Sequence, residues 1–244
     1  MLKKILEIDK IPLSETEKNV VGLATNKVLV KTKLPIYSSP ELASIIGHSI
    51  GDGHVSNERF KYVNQRKELV ERVKQNVSLI FGCVGSEFFV EEKVCYGIQY
   101  PAVIGKLLGM LGAPLGRKVT KNFSVPEWII NSSDKIKCEF VKALFDGEGS
   151  VVWGKRQRFL SISMYKQNNL IESHKIFLNQ VRELLICFEV KPSKICFKKN
   201  YKDTKEFGFR IYSNESLKNY FKHIGFSHRL KQEKLKYLIG IKSI

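Results

Sequence analysis

Two short acidic motifs carry the residues of this chain whose chemistry is easiest to interpret. One is Gly-Asp-Gly, centred on Asp52, the other is Gly-Glu-Gly, centred on Glu148, and each follows an apolar stretch. Two carboxylates held close together repel each other and need a cation, and such hard oxygen ligands suit Mg²⁺. A metal held in this way can activate water for phosphodiester hydrolysis. The pair therefore predicts a metal-dependent nuclease site, to which the free carbonyl groups of Gly51 and Gly147 can add ligands.

The elements that must bring the two acids together are the apolar stretches in front of them, which read as helices. Gly47 and Gly51 are four residues apart in the first, as are Ala143 and Gly147 in the second, so each pair lies on one helix face. Small residues on a shared face let two helices approach more closely than the usual separation of about 8–10 Å. The spacing therefore predicts that the two helices pack on each other, with the acids side by side at their carboxyl ends.

A similar series of elements follows both motifs. Periodicity and turn residues predict helix, strand pair, helix, strand pair and helix from residue 39, and the series begins again near residue 133. Ahead of this repeat, a helix over 15–24 and a strand over 27–33 are predicted, with no assigned role. The predicted division of the chain is an N-terminal extension (1–38), a first half-domain (39–125) and a second half-domain (126–244).

The composition indicates a polyanionic partner. The chain has 41 Lys and Arg against 24 Asp and Glu, a net charge of +17, which favours nucleic acid. No apolar run approaches the roughly 20 residues that span a bilayer, and residues 1–10 lack the apolar region of a signal peptide. We therefore expect no membrane partner and an intracellular location, in the cytoplasm or in the organelle or nucleoid that holds the target DNA. The five cysteines, without C-x-x-C spacing, disfavour a disulfide framework and a structural zinc site.

Both motifs resemble the LAGLIDADG motif of homing endonucleases, and residues 39–240 resemble two copies of that family's αββαββα half-domain. The resemblance implies an α+β fold of two pseudo-symmetric half-domains packed through their motif helices, each with a curved antiparallel sheet in the DNA major groove. It implies a monomer that binds double-stranded DNA at a long asymmetric site and cuts both strands. Asp52 and Glu148 would bind Mg²⁺, with Mn²⁺ able to substitute and Ca²⁺ binding without cleavage. Ala143 in place of glycine and glutamate at 148 depart from the usual motif.

The resemblance also implies polar and basic residues around the metal. The matching position in the first half is Asn64, with Gln65 beside it, and its counterpart in the second half lies near Tyr165. Lys155, Arg156 and Arg158 are the candidate cations because they follow the second motif, and fixed cations stabilise developing oxyanion charge. A solvated charged turn is the alternative for these three residues.

The DNA-contacting residues are expected on one face of each sheet, where short hydroxyl and basic side chains suit base-edge and phosphate contacts. Three acids crowd the second hairpin of the first half, Glu87, Glu91 and Glu92, and they either lie off the DNA or accept from cytosine amino groups. The predicted contacts are Arg59, Lys61, Asn64, Arg156, Arg158, Ser161, Ser163, Tyr165, Lys198, Lys202, Lys205 and Arg210.

Three functions fit these features. A site-specific endonuclease is favoured, because a protein that only binds DNA has no need of two repelling carboxylates. The alternatives are a maturase that binds its intron RNA and a non-catalytic DNA-binding regulator. The sequence shows no protein-splicing signature, which favours a free-standing, intron-encoded homing enzyme over one embedded as an intein.

Overall fold

The computed structural model describes residues 23–25, 28–30, 36–154 and 157–241. In the N-terminal extension, β1 (Leu23–Thr25) and β2 (Val28–Val30) pair as a small antiparallel hairpin. The strand predicted over 27–33 is confirmed for Val28–Val30. The helix predicted over 15–24 is wrong at its end, where strand pairing outweighs local helical propensity, and its remainder lies outside the described residues.

The first half has the predicted order of helix, strand pair, helix, strand pair and helix. Its first helix begins where the sequence predicts, because the Ser39 hydroxyl accepts the backbone N–H of Leu42 at 3.2 Å and Pro40 occupies the first turn. The second helix ends at Gly82, whose φ of 61° is easy only for glycine. The elements are α1 (Pro40–Ile50), β3 (Gly53–Val55), β4 (Arg59–Asn64), α2 (Lys67–Phe81), β5 (Ser86–Val90), β6 (Cys95–Pro101) and α3 (Ala102–Met110).

The second half repeats this order after a short helix, and one more helix follows it. Its motif helix continues to Glu148, whereas the sequence predicts an end near Phe145. The elements are α4 (Glu127–Ile130), α5 (Asp134–Glu148), β7 (Gly149–Trp153), β8 (Arg158–Gln167), α6 (Ile171–Ile186), β9 (Cys196–Tyr201), β10 (Thr204–Ile211), α7 (Asn214–His223) and α8 (Arg229–Leu238).

The two four-stranded sheets have the same topology. Their strand orders are β3-β4-β6-β5 and β7-β8-β10-β9, and all neighbouring strands are antiparallel. The glycine after each motif acid also sits in the same register, Gly53 opposite Tyr62 and Gly149 opposite Ile162. The predicted fold class is therefore confirmed: an α+β protein of two pseudo-symmetric αββαββα halves. The register defines which residues of the two halves correspond.

The motif helices α1 and α5 pack directly on each other. A Cβ atom on Gly47 would lie 2.6 Å from the carbonyl oxygen of Phe140 and 2.8 Å from Cβ of Ala143. Nearer the carboxyl ends, a Cβ on Gly51 would lie 3.4 Å from Cα of Gly147. This is the close approach that the small-residue spacing predicts. One continuous apolar core runs from α1 and α5 into both sheets.

No helix in the described ranges is both long and apolar enough to cross a bilayer. The division of the chain between residues 125 and 126 remains a prediction.

Candidate functional site at the ends of the motif helices

The close packing of α1 and α5 sets their carboxyl ends side by side at a small cavity. The Asp52 carboxylate lies against the other helix, since a Cβ on Gly147 would come within 3.2 Å of Asp52 Oδ2. The cavity has a volume of about 340 Å³, and its lining includes Asp52, Asn64, Gln65 and Lys231. The packing of two helices thus gathers a carboxylate, an amide and a cation from distant parts of the chain.

Asp52 lies close enough to Glu148 for its charge to raise the pKa of Glu148. Burial and, less strongly, the charge of Asp52 raise the pKa of Glu148 to about 7, and the charges of Lys118 and Lys231 oppose this rise. Burial also raises the pKa of Asp52, against the same two lysines and a hydrogen bond from Asn64. Both carboxyl groups therefore hold their protons more tightly than a free carboxyl group does in water, although Glu148 is only half-buried and Asp52 is exposed.

Asn64 is held in place to orient Asp52. Its Nδ2 donates to Asp52 Oδ2 at 2.8 Å, and its Oδ1 accepts the backbone N–H of Arg66 at 2.8 Å. Because both ends of the amide are engaged, the carboxylate is fixed in one orientation. Gln65, the neighbouring predicted residue, lines the same cavity. The structure thus brings Asn64 and Gln65 to the first acid.

The second half lacks this amide. Since Tyr62 corresponds to Ile162, the counterpart of Asn64 is Met164, and Tyr165 corresponds to Gln65. The predicted counterpart near Tyr165 is thus its neighbour Met164, and in a strand this difference of one residue places the side chain on the other face. A thioether takes the place of the amide that orients Asp52, so the surroundings of the two acids differ chemically.

Two lysines that the sequence did not single out flank the acids. Lys118 Nζ donates to the Gly51 carbonyl at the end of α1. Lys231 Nζ donates to three carbonyls at the end of α5, those of Phe145, Asp146 and Gly147, at 3.1, 2.6 and 3.3 Å. These bonds satisfy the last helical carbonyls, which explains why α5 continues to the acid.

A signal for these lysines is present in the repeat. Each follows by six residues the glycine that closes its half, Gly112 or Gly225. Both glycines have positive φ, 104° and 65°, so the chain turns in the same way before each lysine. Reading the repeat beyond its closing glycines would have identified Lys118 and Lys231.

Among the described residues, none of the cations that the sequence predicts for the site, Lys155, Arg156 and Arg158, is observed beside the acid pair. Arg158 pairs with Trp153, four residues along β8 from Ile162, which faces the glycine after Glu148. At about 3.4 Å per residue that is roughly 13 Å along the strand, so a catalytic role for Arg158 is not supported by its position. Lys155 and Arg156 lie outside the described residues.

The donor set fits one class of metal. Among the described residues, no group of three or more His, Cys, Asp or Glu side chains could hold an ion, so a closed structural site is not formed there. The two carboxylates, with one remaining lone pair on each carbonyl of Gly51 and Gly147, fit Mg²⁺, which keeps waters and binds one or two carboxylates plus substrate phosphates.

Asp146, the remaining acid of the second motif, has a different position. Its buried carboxylate accepts the backbone N–H groups of Ser227 at 3.2 Å and His228 at 3.0 Å. Burial raises its pKa to about 6, against these two hydrogen bonds. Asp146 therefore anchors the segment that leads into Lys231.

The sheet face away from the helices carries several predicted contacts of the second half. On β8, Leu160 and Ile162 point into the core, so Ser161, Ser163 and Tyr165 point to the other face. Arg210 stacks over the Phe159 ring on that face, with its guanidinium carbon 4.6 Å from the ring centroid. This face combines hydroxyl, aromatic and basic groups.

Lys205 does not belong to that face, contrary to the prediction. It pairs with Lys166, which is buried among the core residues, and directly paired residues share a face. A bulge between Glu206 and Phe207 leaves Lys198 without a partner in the register, and Lys199 instead lies over the Tyr165 ring at 5.6 Å. The bulge could not be located from residue spacing.

The three remaining basic contacts predicted for the sheets are Lys202, Lys61 and Arg59, and none of them is buried. Lys202 occupies the turn between β9 and β10 with a φ of 52°. In the first half, Lys61 lies over the Phe88 ring at 4.5 Å, and Arg59 reaches Gln99 at 3.5 Å. Basic groups on aromatic rings thus occur in both sheets.

The alternative left open for the acids of the first half is decided for Glu87. Its carboxylate pairs with Lys74 of α2, so it points to the helices rather than to the open face. Glu91 and Glu92 lie in the short 3₁₀ turn that joins β5 to β6.

The raised pKa of Glu148 predicts a measurable dependence of stability on pH. A carboxyl group whose pKa is higher in the folded state favours folding when protonated, and that contribution disappears as the pH rises from its unfolded pKa near 4.5 to about 7. We expect Glu148→Gln to stabilise the metal-free protein by about 1–2 kcal/mol above pH 7, or roughly 3–6 °C in Tm. At pH 5 the two proteins should differ little.

The measurement is Tm for the variant and the parent across this range. Taking the difference cancels the opposite dependence from His48 and His174, whose pKa values burial lowers to about 3 and about 4. A difference that does not grow between pH 5 and pH 7.5 would contradict the raised pKa.

Comparison with known protein families identifies the second half. Residues 135–225, from α5 to the glycine that closes the half, match the LAGLIDADG-like domain. The fold resembles full-length DUF199/WhiA from Thermatoga maritima, with a TM-score of 0.53 at 14% identity over 85% of this chain and 63% of the other. It also resembles a variant of the homing endonuclease I-DmoI in complex with its target DNA and in the presence of manganese. That likeness has a TM-score of 0.50 at 14% identity, over 76% of this chain and 93% of the other.

By sequence, the chain matches segments of much longer proteins. The chain is 26% identical over 224 residues to the glutamine–fructose-6-phosphate aminotransferase of Methanocaldococcus jannaschii, covering 85% of this chain and 18% of the relative. It is 26% identical over 253 residues to the tRNA-splicing ligase RtcB of Pyrococcus furiosus, covering 95% of this chain and 26% of the relative. The chain thus spans about a quarter or less of these relatives.

Proposed function

We propose that this chain, whose second half matches the LAGLIDADG-like domain and whose two sheets share one topology, is a site-specific DNA endonuclease. The observation that carries the proposal is the site itself. Asp52 and Glu148 meet at the ends of two helices packed through glycines, and a lysine caps each helix beside them. Two acids with raised pKa values, flanked by two cations, are an arrangement that catalysis of phosphodiester hydrolysis can use.

Each part of the site has a task in this proposal. When bound, a divalent metal, Mg²⁺ or Mn²⁺, supplies activation of water and neutralisation of phosphate charge. Asp52 and Glu148 hold it, with the carbonyls of Gly51 and Gly147 able to add ligands. Asn64 keeps Asp52 in one orientation.

The two lysines lie on the two sides of the acid pair, as the pseudo-twofold arrangement requires. Each can therefore face one of the two scissile phosphates and stabilise the negative charge that develops there. Both lysines are half-buried, and this partial burial lowers their pKa values, while the neighbouring acids act in the opposite direction. Fixed cations in a poorly hydrated site need no reorganisation during the reaction.

The sheet faces would bind double-stranded DNA. The net charge of +17 supplies attraction to phosphate, and the open faces supply the contacts. In the second half we assign these to Ser161, Ser163, Tyr165, Arg210 and Lys199. Lys202, at the exposed turn between β9 and β10 of the second half, is assigned as a further contact. In the first half we assign the contacts to Arg59 and Lys61.

Glu206 gives this interface a testable base preference. It is an acid on the otherwise basic open face of β10, where the Ser163 hydroxyl donates to it at 2.6 Å and Lys199 lies 3.8 Å away. A carboxylate in the major groove accepts from the cytosine amino group, whereas glutamine pairs with adenine. We expect Glu206→Gln to shift the preferred base at one position from cytosine to adenine by about 1–3 kcal/mol.

That shift is measured by binding to duplexes that differ at single positions. Glu87→Gln is the matched control, since the same substitution lies on the helix side of the other sheet and should leave every preference unchanged. An unchanged preference in Glu206→Gln would remove Glu206 from the interface.

The regulator is the second candidate. The fold resembles DUF199/WhiA at least as well as it resembles the endonuclease, so the fold alone does not distinguish a protein that cuts DNA from one that only binds it. A regulator would use the same sheets to bind DNA and would leave it intact. The intron RNA maturase remains a further alternative.

The relatives bear on how the protein is encoded. The shared stretch occurs in an aminotransferase, an RNA ligase and a probable initiation factor, as 18%, 26% and 16% of their lengths. Proteins with such different activities share it most simply as an inserted module. This favours an embedded homing enzyme over the free-standing, intron-encoded one predicted from the sequence.

The decisive experiment starts from DNA that binds. A library of long duplexes, including the junction of the sequences that flank the gene, is selected for binding in Ca²⁺, and the bound duplexes are then incubated with Mg²⁺ or Mn²⁺. We expect a double-strand cut at one position of the selected site. Binding without any metal-dependent cut would establish the regulator instead, and binding of intron RNA alone would establish the maturase.

A further inference from the structure

Lys166 is a buried cation that the proposed reaction does not use. Its side chain is only 2% exposed and lies on the helix side of β8. The ammonium group lies 3.8 Å from the centroid of the Phe123 ring, and no carboxylate pairs with it among the described residues. A buried charge without a counter-ion costs several kcal/mol, so its presence needs a compensating contact.

That contact is with the turn that carries one of the two site lysines. Lys166 Nζ donates to the backbone carbonyl of Lys118 at 2.8 Å. The same residue, Lys118, extends its side chain to the Gly51 carbonyl beside the acid pair. The backbone of Lys118 is therefore held by the second half, while its ammonium group donates a hydrogen bond to the end of the first motif helix.

The other site lysine is held differently. The segment before Lys231 is anchored by Asp146, which accepts two backbone N–H groups. In the first motif the position of Asp146 is occupied by Ile50, which can accept no hydrogen bond through its side chain. The turn that carries Lys118 therefore lacks this anchor, and Lys166 is the buried side chain that holds its backbone.

The counterpart of Lys166 in the first half is Arg66. It lines the same cavity as His228 and Lys231, and it occupies the N-cap position of α2, without a side-chain capping bond and without being buried in the core. A basic residue of each half thus faces the lysine segment of the other, and only Lys166 has become a buried backbone donor. Burial and the charge of Lys118 lower the pKa of Lys166 to about 8.

We propose that Lys166 is a positioning residue that sets the place of the Lys118 ammonium group and thereby the rate at which one of the two DNA strands is cut. The inference rests on the proposed endonuclease function. Loss of the Nζ donor leaves the carbonyl of Lys118 with only its local bond from the backbone N–H of Lys121 at 3.2 Å. The turn can then shift relative to β8, and a displacement of about 1 Å at a reacting group can cost roughly a hundredfold in rate. Lys231 has its own anchor and should be unaffected.

The test is single-turnover cleavage, in Mg²⁺, of a selected duplex with a different label on each strand. We expect Lys166→Met to slow one strand by about 10–100-fold, so that nicked duplex accumulates, while binding of the duplex in Ca²⁺ is unchanged. Lys118→Met should slow the same strand and Lys231→Met the other. Lys166→Arg, which keeps the charge and a donor, should recover part of the rate.

Lys175→Met is the matched control, because Lys175 is a surface lysine of α6 paired with Glu172, and both of its strand rates should equal those of the parent. Lys166→Gln, which keeps a polar donor without the charge, is the second variant if Lys166→Met does not fold. Equal slowing of both strands with a lower Tm would show a merely structural role and overturn the inference, as would unchanged cleavage. A parent protein that cuts neither strand would overturn the proposed function itself.

Discussion

Asp52→Asn should bind its duplex as tightly as the parent protein and cut it at least about a thousandfold more slowly. The substitution keeps the shape of the side chain and an oxygen that can accept from Asn64, which donates to Asp52 at 2.8 Å. What it removes is the negative charge that would hold the metal. Glu148→Gln removes the charge on the other side of the pair and should have an effect of the same size.

Both measurements are needed on the same protein. Binding is measured in Ca²⁺ and cleavage is measured in Mg²⁺, each with the selected duplex. Asp134→Asn is the control, because it makes the same substitution at the exposed amino end of α5 and should change Tm slightly and cleavage not at all. If Asp52→Asn cuts at the rate of the parent, then the two acids are not the metal site, whatever the protein does to DNA.

The result also separates the endonuclease from the regulator in a way that fold comparison does not. A regulator on this fold would still place Asp52 and Glu148 beside Lys118 and Lys231. The two raised carboxyl pKa values would then lower its stability at neutral pH without contributing to any reaction. In such a protein, removal of one acid relieves repulsion and changes nothing else. Cleavage that disappears while stability rises is therefore the combination that only the endonuclease predicts.

The sequence was sufficient for the architecture and for the two acids. Each motif couples an apolar helix to an acid between glycines, and the small residues at four-residue spacing predict which helix faces meet. Local pattern and helix geometry carry that information, so the contact between α1 and α5 follows from Gly47, Gly51, Ala143 and Gly147. The repeat of elements then gives the two sheets.

The surroundings of the acids were harder to predict because they depend on register and on distant segments. Met164, rather than Tyr165, corresponds to Asn64, and the difference of one residue is fixed only by which residue faces Gly149 across the sheet. A bulge leaves Lys198 out of the register, and Lys199, not Lys198, lies over Tyr165 on the open face. No pattern of local spacing reports either feature.

The two site lysines illustrate a further limit. Lys118 and Lys231 lie in basic segments after the halves, where a lysine is ordinarily a solvated surface charge. Their role depends on the direction in which the chain leaves Gly112 and Gly225, and only the folded structure brings them back to the ends of the motif helices. The repeated interval of six residues is a weak signal by itself, and it becomes useful once the halves are aligned.

The helix contact itself supplies the other large expected effect, which is on stability as well as on cleavage. Gly47→Ala adds one methyl group where Phe140 O lies at 2.6 Å and Ala143 Cβ at 2.8 Å. Backbone and Cβ atoms cannot rotate away, so the helices must separate. Overpacking of this kind costs about 1–3 kcal/mol, while alanine in place of a helical glycine returns up to about 1 kcal/mol.

We therefore expect Gly47→Ala to lower the free energy of unfolding by about 1–2 kcal/mol and to slow cleavage of both strands together, since separation of α1 and α5 moves Asp52 away from Glu148. Denaturant unfolding and the two-label cleavage assay measure the two effects. Gly154→Ala is the matched control, because among the described residues a Cβ there meets nothing nearer than the Gln157 carbonyl oxygen at 4.0 Å. A Gly47→Ala protein with the stability and both strand rates of the parent would show that the distance between the helices does not set the geometry of the acid pair.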